Sequence, residues 1–308
     1  MSAPILRVEE IELYERDVTL RLPFRFGVVT LREAPQAFAR VRISDQQGRT
    51  GWGTSAEILA PKWFDKNEGL SNEDNFDQLR TSLSLSRDAF LAAEPTTAFG
   101  LPVDAHHDHV VAARLRGLNS LVATFGPALL NRAVLDALCQ LRQRSFYAAI
   151  QSNLPGIEAT AMTPDLAGCD LDAFLQSLKP AARIHARHTV GMVDPLTGAD
   201  QSRDERVNDG LPETLEEIVT TYGHKYFKIK VGGHLGTDIA RLSGIADVLD
   251  RLAGDYRLSL DGNEQYEDAD GVIELLDKMA ETPALDRFCR SILFIEQPIK
   301  RAAALTED

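Results

Sequence analysis

Residues 226–232 read YFKIKVG, residues 258–264 read LSLDGNE, and residues 292–298 read ILFIEQP. Each is an apolar run of strand length that turns polar or charged at its C-terminal end. Lys230, Asp261 and Glu296 mark those ends, and they recur about every 30–35 residues, the length of one βα unit. Moving outward, Pro212–Tyr222, Gly236–Leu252 and Asp268–Glu281 carry helical apolar periodicity, and Ile184–Val193 reads as an earlier strand. Strand and helix therefore alternate, which predicts parallel strands covered by helices.

Parallel strands buried on both faces should be almost wholly apolar, and these three break that rule near their C-terminal ends. Lys228 and Lys230 are two apart and project from one face. The next strand ends in Asp261, Asn263 and Glu264, and the last in Glu296. Burying an unpaired ammonium or carboxylate costs several kcal/mol at the order-of-magnitude level, so these groups need partners. One account is a set of internal ion pairs that holds the strands together. The other places a divalent cation between carboxylates that would otherwise repel each other, and oxygen ligands of this kind suit Mg²⁺. A lysine held beside such a site in a low-dielectric pocket has a depressed pKa and can serve as a base. In α/β barrels, active sites assemble at this end of the strands.

Upstream the pattern differs. Ile5–Tyr14 and Ala37–Ser44 alternate as strands, and DQQGRTGWG (45–53) is a glycine-punctuated turn leading into a third. PFRFGVVT (23–30) is expected to be a loop carrying aromatic and basic side chains. Asn72–Arg116 is helical and polar, with His106, His107 and His109 clustered; adjacent histidines on a helix point in different directions, which weakens a metal-binding reading. Pro127–Ile150 is expected to be an amphipathic helix, and Asn153–Gly168 a loop.

The net charge of −13 over 308 residues argues against a nucleic-acid partner, because phosphates would be repelled. Cys139, Cys169 and Cys289 lie far apart without metal-type spacing, as expected of free thiols in a reducing compartment. The N-terminus has no secretory pattern and no run of about 18 apolar residues occurs. The expectation is a cytoplasmic protein that does not span a membrane.

KIK, DGN and IEQP on consecutive strands resemble the mandelate racemase and muconate lactonising enzyme branch of the enolase superfamily. PFRFG, GRTGWG and the helix NRAVLDALCQL (131–141) resemble that family's capping domain and the helix that enters the barrel. The least matched segments are Asn72–Arg116 and Asn153–Lys179. The resemblance implies an α+β capping domain over residues 1–125, followed by a TIM-type (β/α) barrel over residues 126–308, of which about the first four strands are present. It also implies abstraction of the α-proton of a small carboxylate substrate through an enediolate, giving racemisation, epimerisation, cycloisomerisation or elimination. Paired lysines favour the first types over acid-sugar dehydratases. Carried over, Asp261 and Glu296 become Mg²⁺ ligands and Lys230 the base. Lys228 tunes its neighbour and contacts the substrate carboxylate. Asn263 is a polar contact beside the metal, and Glu264 a further shell group or a solvated neighbour. Loops around Phe24–Thr30 and Trp52–Phe64 would close over the substrate, with Phe24, Phe26 and Trp52 the aromatic candidates. A homo-oligomer is implied for the intact enzyme.

The sequence departs from the family's pattern in two ways. Thr54 follows GWG where a Glu is common, with Glu57 coming later. A complete barrel takes about 250 residues, and the chain reaches Asp308 inside what reads as the fourth helix. The third carboxylate ligand and a second acid or base are thus expected outside the sequence. The expectation is a partial record of a longer protein; a truncated inactive product and two associating half-barrels are the alternatives. A non-catalytic binding or structural module, and a barrel enzyme using Lys230 as a Schiff base, are the competing functional readings.

Overall fold

A computed structural model describes residues 3–304. The chain divides into two compact units. One comprises the residues up to Val18 together with Glu33–Ala181; the other comprises Thr19–Arg32 together with the residues from Ala182 onward.

The first unit is α+β. Strands β1 (Leu6–Phe26), β2 (Val29–Asp45) and β3 (Thr50–Ile58) form a sheet in that order, with β2 and β3 antiparallel. Helices α1 (Asn72–Ala92), α2 (Gly100–Leu115) and α3 (Ser120–Arg142) follow, with the short α4 (Phe146–Gln151) and α5 (Leu171–Ser177) behind them. The GWG motif shows why glycine flanks the tryptophan. A Cβ on Gly53 would stand 2.1 Å from the Ala137 backbone nitrogen, so the backbone of α3 lies directly on β3 and only glycine fits. Trp52 alternates to the other face, where the Arg40 guanidinium sits 4.0 Å from its ring centroid.

Helix α3 begins seven residues before the start expected from sequence. Asn119 caps it by accepting from the Leu121 and Val122 backbone N–H groups, so Pro127 lies inside the helix and not at its start. A proline has no N–H for the carbonyl four residues back. The freed Ala123 carbonyl instead accepts from Ser82 Oγ at 2.9 Å and from His109 Nε2 at 2.6 Å. That pairing explains the buried member of the histidine cluster, at 4% exposure. The helix also ends earlier than expected, at Arg142, where Gln143 turns left-handed. In length and hydropathy α3 could cross a membrane, yet Val122, Leu129, Leu130, Val134 and Leu138 are all fully buried in this unit.

The second unit carries the barrel portion. Strands β4 (Arg187–Val190), β5 (Tyr226–Lys230), β6 (Arg257–Asp261) and β7 (Ile292–Glu296) form one parallel sheet in chain order. They alternate with α6 (Leu215–Tyr222), α7 (Leu235–Leu252), α8 (Ala269–Ala280) and α9 (Asp286–Arg290). The helix-facing row of the sheet, Phe227, Ile229, Leu258 and Leu260, packs with Leu242, Ile245, Leu249 and Met279 into one core. Each such side chain contributes about 1.5–3 kcal/mol by burial, so this face holds the strands in register while the opposite row carries charge. The architecture is an α+β unit followed by the first four strands of a (β/α) barrel.

The expected loop at residues 23–30 is a hairpin instead. Strand β1 runs to Phe26, turns at Gly27 and Val28, and returns as β2 from Val29. The alternation of TLRLPFRF continues through Pro23, which β1 tolerates at the edge of its sheet. The tip, residues 19–32, belongs to the second unit. Arg21 fixes it there, donating to both Asp209 carboxylate oxygens at 2.6 and 2.5 Å and to the Leu211 and Pro212 carbonyls at 3.1 Å.

Candidate active site

Parallel register sets the site. Lys228 pairs with Ser259, and Lys230 with Asp261, which pairs with Glu296. Lys230, Asp261 and Glu296 thus form one row across the C-terminal ends of three neighbouring strands, pointing away from the helix-facing core. Lys230 Nζ donates to Asp261 Oδ2 at 2.5 Å and to Asn263 Oδ1 at 2.6 Å. Lys228 Nζ bridges Asp261 Oδ2 and Glu296 Oε2, at 2.7 Å each. Asp261 is fully buried and Lys230 is 5% exposed, whereas the Glu296 side chain keeps about a third of its surface in solvent.

The turn after β6 is shaped for this cluster. Asn263 and Glu264 both take positive φ, at 46° and 67°, as does Gln297 after β7 at 38°. Such conformations are costly for non-glycine residues and persist where the surroundings enforce them. Here the Asn263 N–H donates to Asp261 Oδ1 at 2.9 Å, which folds the turn back over the carboxylate. Gly262 has no alternative, since a Cβ would fall 2.6 Å from Pro298 Cα in the neighbouring turn. Backbone bonds lace the two turns: Gly262 N–H donates to the Glu296 carbonyl and Glu264 N–H to that of Gln297, at 3.1 and 2.8 Å.

Electrostatics follow from burial and pairing. Desolvation pushes the Lys230 ammonium below the ordinary lysine value, although the hydrogen bond and charge of Asp261 pull the other way. Desolvation also works against the ionised Asp261, but hydrogen bonds from Lys228 and Lys230 outweigh it, and the carboxyl sits below its usual value. An ionised Asp261 therefore faces an ammonium whose proton is held less tightly than in water.

The remaining candidates are placed as follows. Glu264, 8% exposed, accepts from Arg301: its Oε1 takes Nε at 2.8 Å, and its Oε2 takes the Arg301 backbone N–H at 3.0 Å. Phe24 and Phe26 lie on the hairpin tip with ring centroids 5.8 Å apart. Next to them, a Cβ on Gly27 would come within 3.1 Å of the Gln265 amide, which sets the tip against the β6 turn. Trp52 belongs to the first unit, stacked on Arg40. Arg301 and Gln265 were not anticipated from sequence. A buried Glu264 in a tight turn was the only signal that a basic partner had to exist.

Whether these residues suit a divalent cation is decided by their donors. Asp261 and Glu296 converge on one cationic point, and in this structure the Lys228 ammonium holds it. Carboxylate oxygen is the right chemistry for Mg²⁺. Among the described residues, however, no group of three or more His, Cys, Asp or Glu side chains is arranged to hold a metal. Asp261 and Glu296 supply two carboxylates of that chemistry, both paired with Lys228.

The fold is that of enolase-superfamily proteins of the mandelate racemase/muconate lactonising enzyme kind. One such structure is an enolase from Bradyrhizobium complexed with magnesium and mandelic acid. It is 19% identical with a TM-score of 0.55, and the match covers 97% of this chain and 63% of that one. Another is the L-Ala-D/L-Glu epimerase from Bacillus subtilis in a substrate-liganded complex, 18% identical with a TM-score of 0.53, covering 96% and 62%. A third is the dipeptide epimerase from Enterococcus faecalis V583 complexed with Mg and the dipeptide L-Leu-L-Tyr, 16% identical with a TM-score of 0.53, also covering 96% and 62%. This chain thus spans a little under two thirds of the length of these structures. No family model and no curated protein matches it.

Proposed function

We propose that this chain carries the proton-abstracting part of a cytoplasmic, metal-dependent enolase-superfamily enzyme. Its substrate is a small carboxylate, and its product follows from an enediolate by racemisation, epimerisation, cycloisomerisation or elimination. The observation that carries this reading is the row of Lys230, Asp261 and Glu296, with Lys228 and Asn263, gathered at the C-terminal end of the parallel sheet. Internal charge at that density, on adjacent strand ends and beside a strained turn, is expected of a working site. The neighbours of like fold include a complex with magnesium and mandelic acid and two epimerases, which supports an α-proton chemistry.

In this reading Asp261 and Glu296 are two ligands of a divalent cation, and further ligands come from outside the described residues. When bound, the cation supplies positive charge that stabilises the enediolate. Lys230 in its amine form takes the α-proton at Nζ, and burial is what makes that form accessible. Asn263 orients the same nitrogen through its Oδ1. Lys228, held between Asp261 and Glu296, contacts the substrate carboxylate. The hairpin tip with Phe24 and Phe26 shapes specificity from beside the β6 turn. Homo-oligomerisation is part of the proposal for the whole enzyme.

The test is calorimetric titration with Mg²⁺, together with solvent deuterium exchange into candidate α-substituted carboxylates by the intact enzyme. Saturable Mg²⁺ binding that disappears in Asp261→Ala supports the reading.

A second reading rests on the bridging geometry of Lys228. If the ion pairs are purely structural, the unit is a non-catalytic module. No Mg²⁺ binding is then seen, and Lys228→Met lowers stability without any other effect.

A further inference from the structure

The turns after β6 and β7 are zipped together beside the charged row, and they contain an arginine that the proposed chemistry does not use. The Glu264 N–H donates to the Gln297 carbonyl at 2.8 Å, the Tyr266 N–H to the Pro298 carbonyl at 3.1 Å, and the Lys300 N–H to the Tyr266 carbonyl at 3.1 Å. The Arg301 N–H then donates to Glu264 Oε2 at 3.0 Å. This backbone zipper delivers the Arg301 guanidinium to the same carboxylate. Its Nε reaches Oε1 and Oε2 at 2.8 and 2.9 Å, and a terminal guanidinium nitrogen also donates to Oε1.

Glu264 is poorly suited to its place by local rules. Its φ of 67° lies in the left-handed region, which glycine enters freely and glutamate does not. It is also 8% exposed, and a buried carboxylate needs a charged or hydrogen-bonding partner. The Arg301 fork answers both demands, because it holds the ion and with it the backbone conformation. Asn263, the residue before, is left-handed as well, at 46°, and its Oδ1 accepts from Lys230 Nζ at 2.6 Å. The two residues are consecutive, so fixing one sets the direction in which the other presents its side chain.

We propose that Arg301 is a positioning residue for Lys230, acting through Glu264 to keep the Asn263 amide oxygen on Nζ. The catalytic consequence rests on the reading of Lys230 as the base; the geometry does not. A nitrogen that takes a proton has to be aimed, and a misplacement of about 1 Å can cost about 100-fold in rate.

The test is native-state acetylation of the full chain with acetic anhydride, quantified by mass spectrometry at Lys230 and at Lys228. Lys228, held by Asp261 and Glu296, is the internal control for general loosening of the site. Arg301→Met should raise the Lys230-to-Lys228 labelling ratio at least about fivefold, because Nζ loses a fixed acceptor. Glu264→Gly takes the left-handed conformation without strain but removes the fork, and should have the same effect. The double variant should exceed neither single by more than about twofold. Arg301→Lys, which keeps the charge without the fork, should fall between the parent and Arg301→Met. Circular dichroism confirms that each variant is folded; if Arg301→Met does not fold, Glu264→Gly decides. An unchanged ratio, equal rises at both lysines, or additive effects in the double variant would each overturn the positioning role and leave a fork that only ties two turns. Labelling needs neither metal nor substrate, so its result is independent of the proposed chemistry. In the intact enzyme, Arg301→Met should lower kcat for deuterium exchange about tenfold with KM within about twofold; a change confined to KM would contradict an effect on the base.

Discussion

At the scale of single residues, the lysines and carboxylates were legible because they violate a strong rule. A charged side chain inside a sheet covered by helices has to be paired or used, and alternation alone showed that Lys228 and Lys230 share a face. What alternation could not show is which oxygen each lysine meets. Asp261 serves both, and Lys228 reaches across to Glu296 on the edge strand. Replacing Lys230 with alanine in the intact enzyme should abolish deuterium exchange at one face of the substrate while Mg²⁺ affinity changes by less than about threefold. Unchanged exchange would remove Lys230 from the role of base. Asp261→Asn should eliminate Mg²⁺ binding and also lower stability by about 3–5 kcal/mol, because two buried ammonium groups lose their counter-charge; calorimetry and urea unfolding measure the two effects separately. His188 supplies a pH test outside this cluster. Burial, with the His224 imidazole alongside, holds its pKa down to about 4. Between an unfolded value of about 6.5 and that folded value, the unfolded chain binds a proton that the folded chain does not. Stability therefore falls as the pH drops through this window. Going from about pH 7 to about pH 5 should cost about 1–2 kcal/mol less in His188→Asn than in the parent, read from urea midpoints.

At the scale of elements, strand and helix periods located most of the segments, and the errors have physical causes. Apolar periodicity in the sequence places the helix start at Pro127. Asn119 capped the helix earlier, and tertiary partners took up the carbonyl that proline orphans. Neither Ser82 nor His109 is near Ala123 in sequence, so no local pattern reveals the compensation. The same holds for the hairpin at residues 23–30, where the sequence reads as a loop around Pro23. A strand edge tolerates it, and Arg21 anchors the tip through Asp209. The glycine of GWG was read as a turn signal, but its reason is contact: α3 rests on β3 there. Gly53→Ala should therefore destabilise the first unit by about 1–3 kcal/mol or more through overpacking. Gly236→Ala in the first turn of α7, where a Cβ meets nothing within 4 Å, should stay within about 0.5 kcal/mol of the parent. Equal thermal shifts for the two would contradict the close approach.

At the scale of the molecule, β7 is the outermost strand of the parallel sheet, and Leu293 and Phe294 on it are 56% and 51% exposed. Open edges carrying exposed apolar side chains invite association. Residues 1–308 should show concentration-dependent association in sedimentation, reduced by Phe294→Lys; strictly monomeric behaviour at all concentrations would count against this. The sequence by itself determined the order of strands and helices, the apolar core of the second unit and the identity of the charged residues at the strand ends. Periodicity and burial chemistry act along the chain, so they can be read there. Tertiary structure decided which carboxylate each lysine engages, why Pro127 is tolerated, and why Gly53 and Gly262 must lack a side chain. Those depend on contacts between residues distant in sequence, and only the packed chain fixes distances of a few ångströms among them.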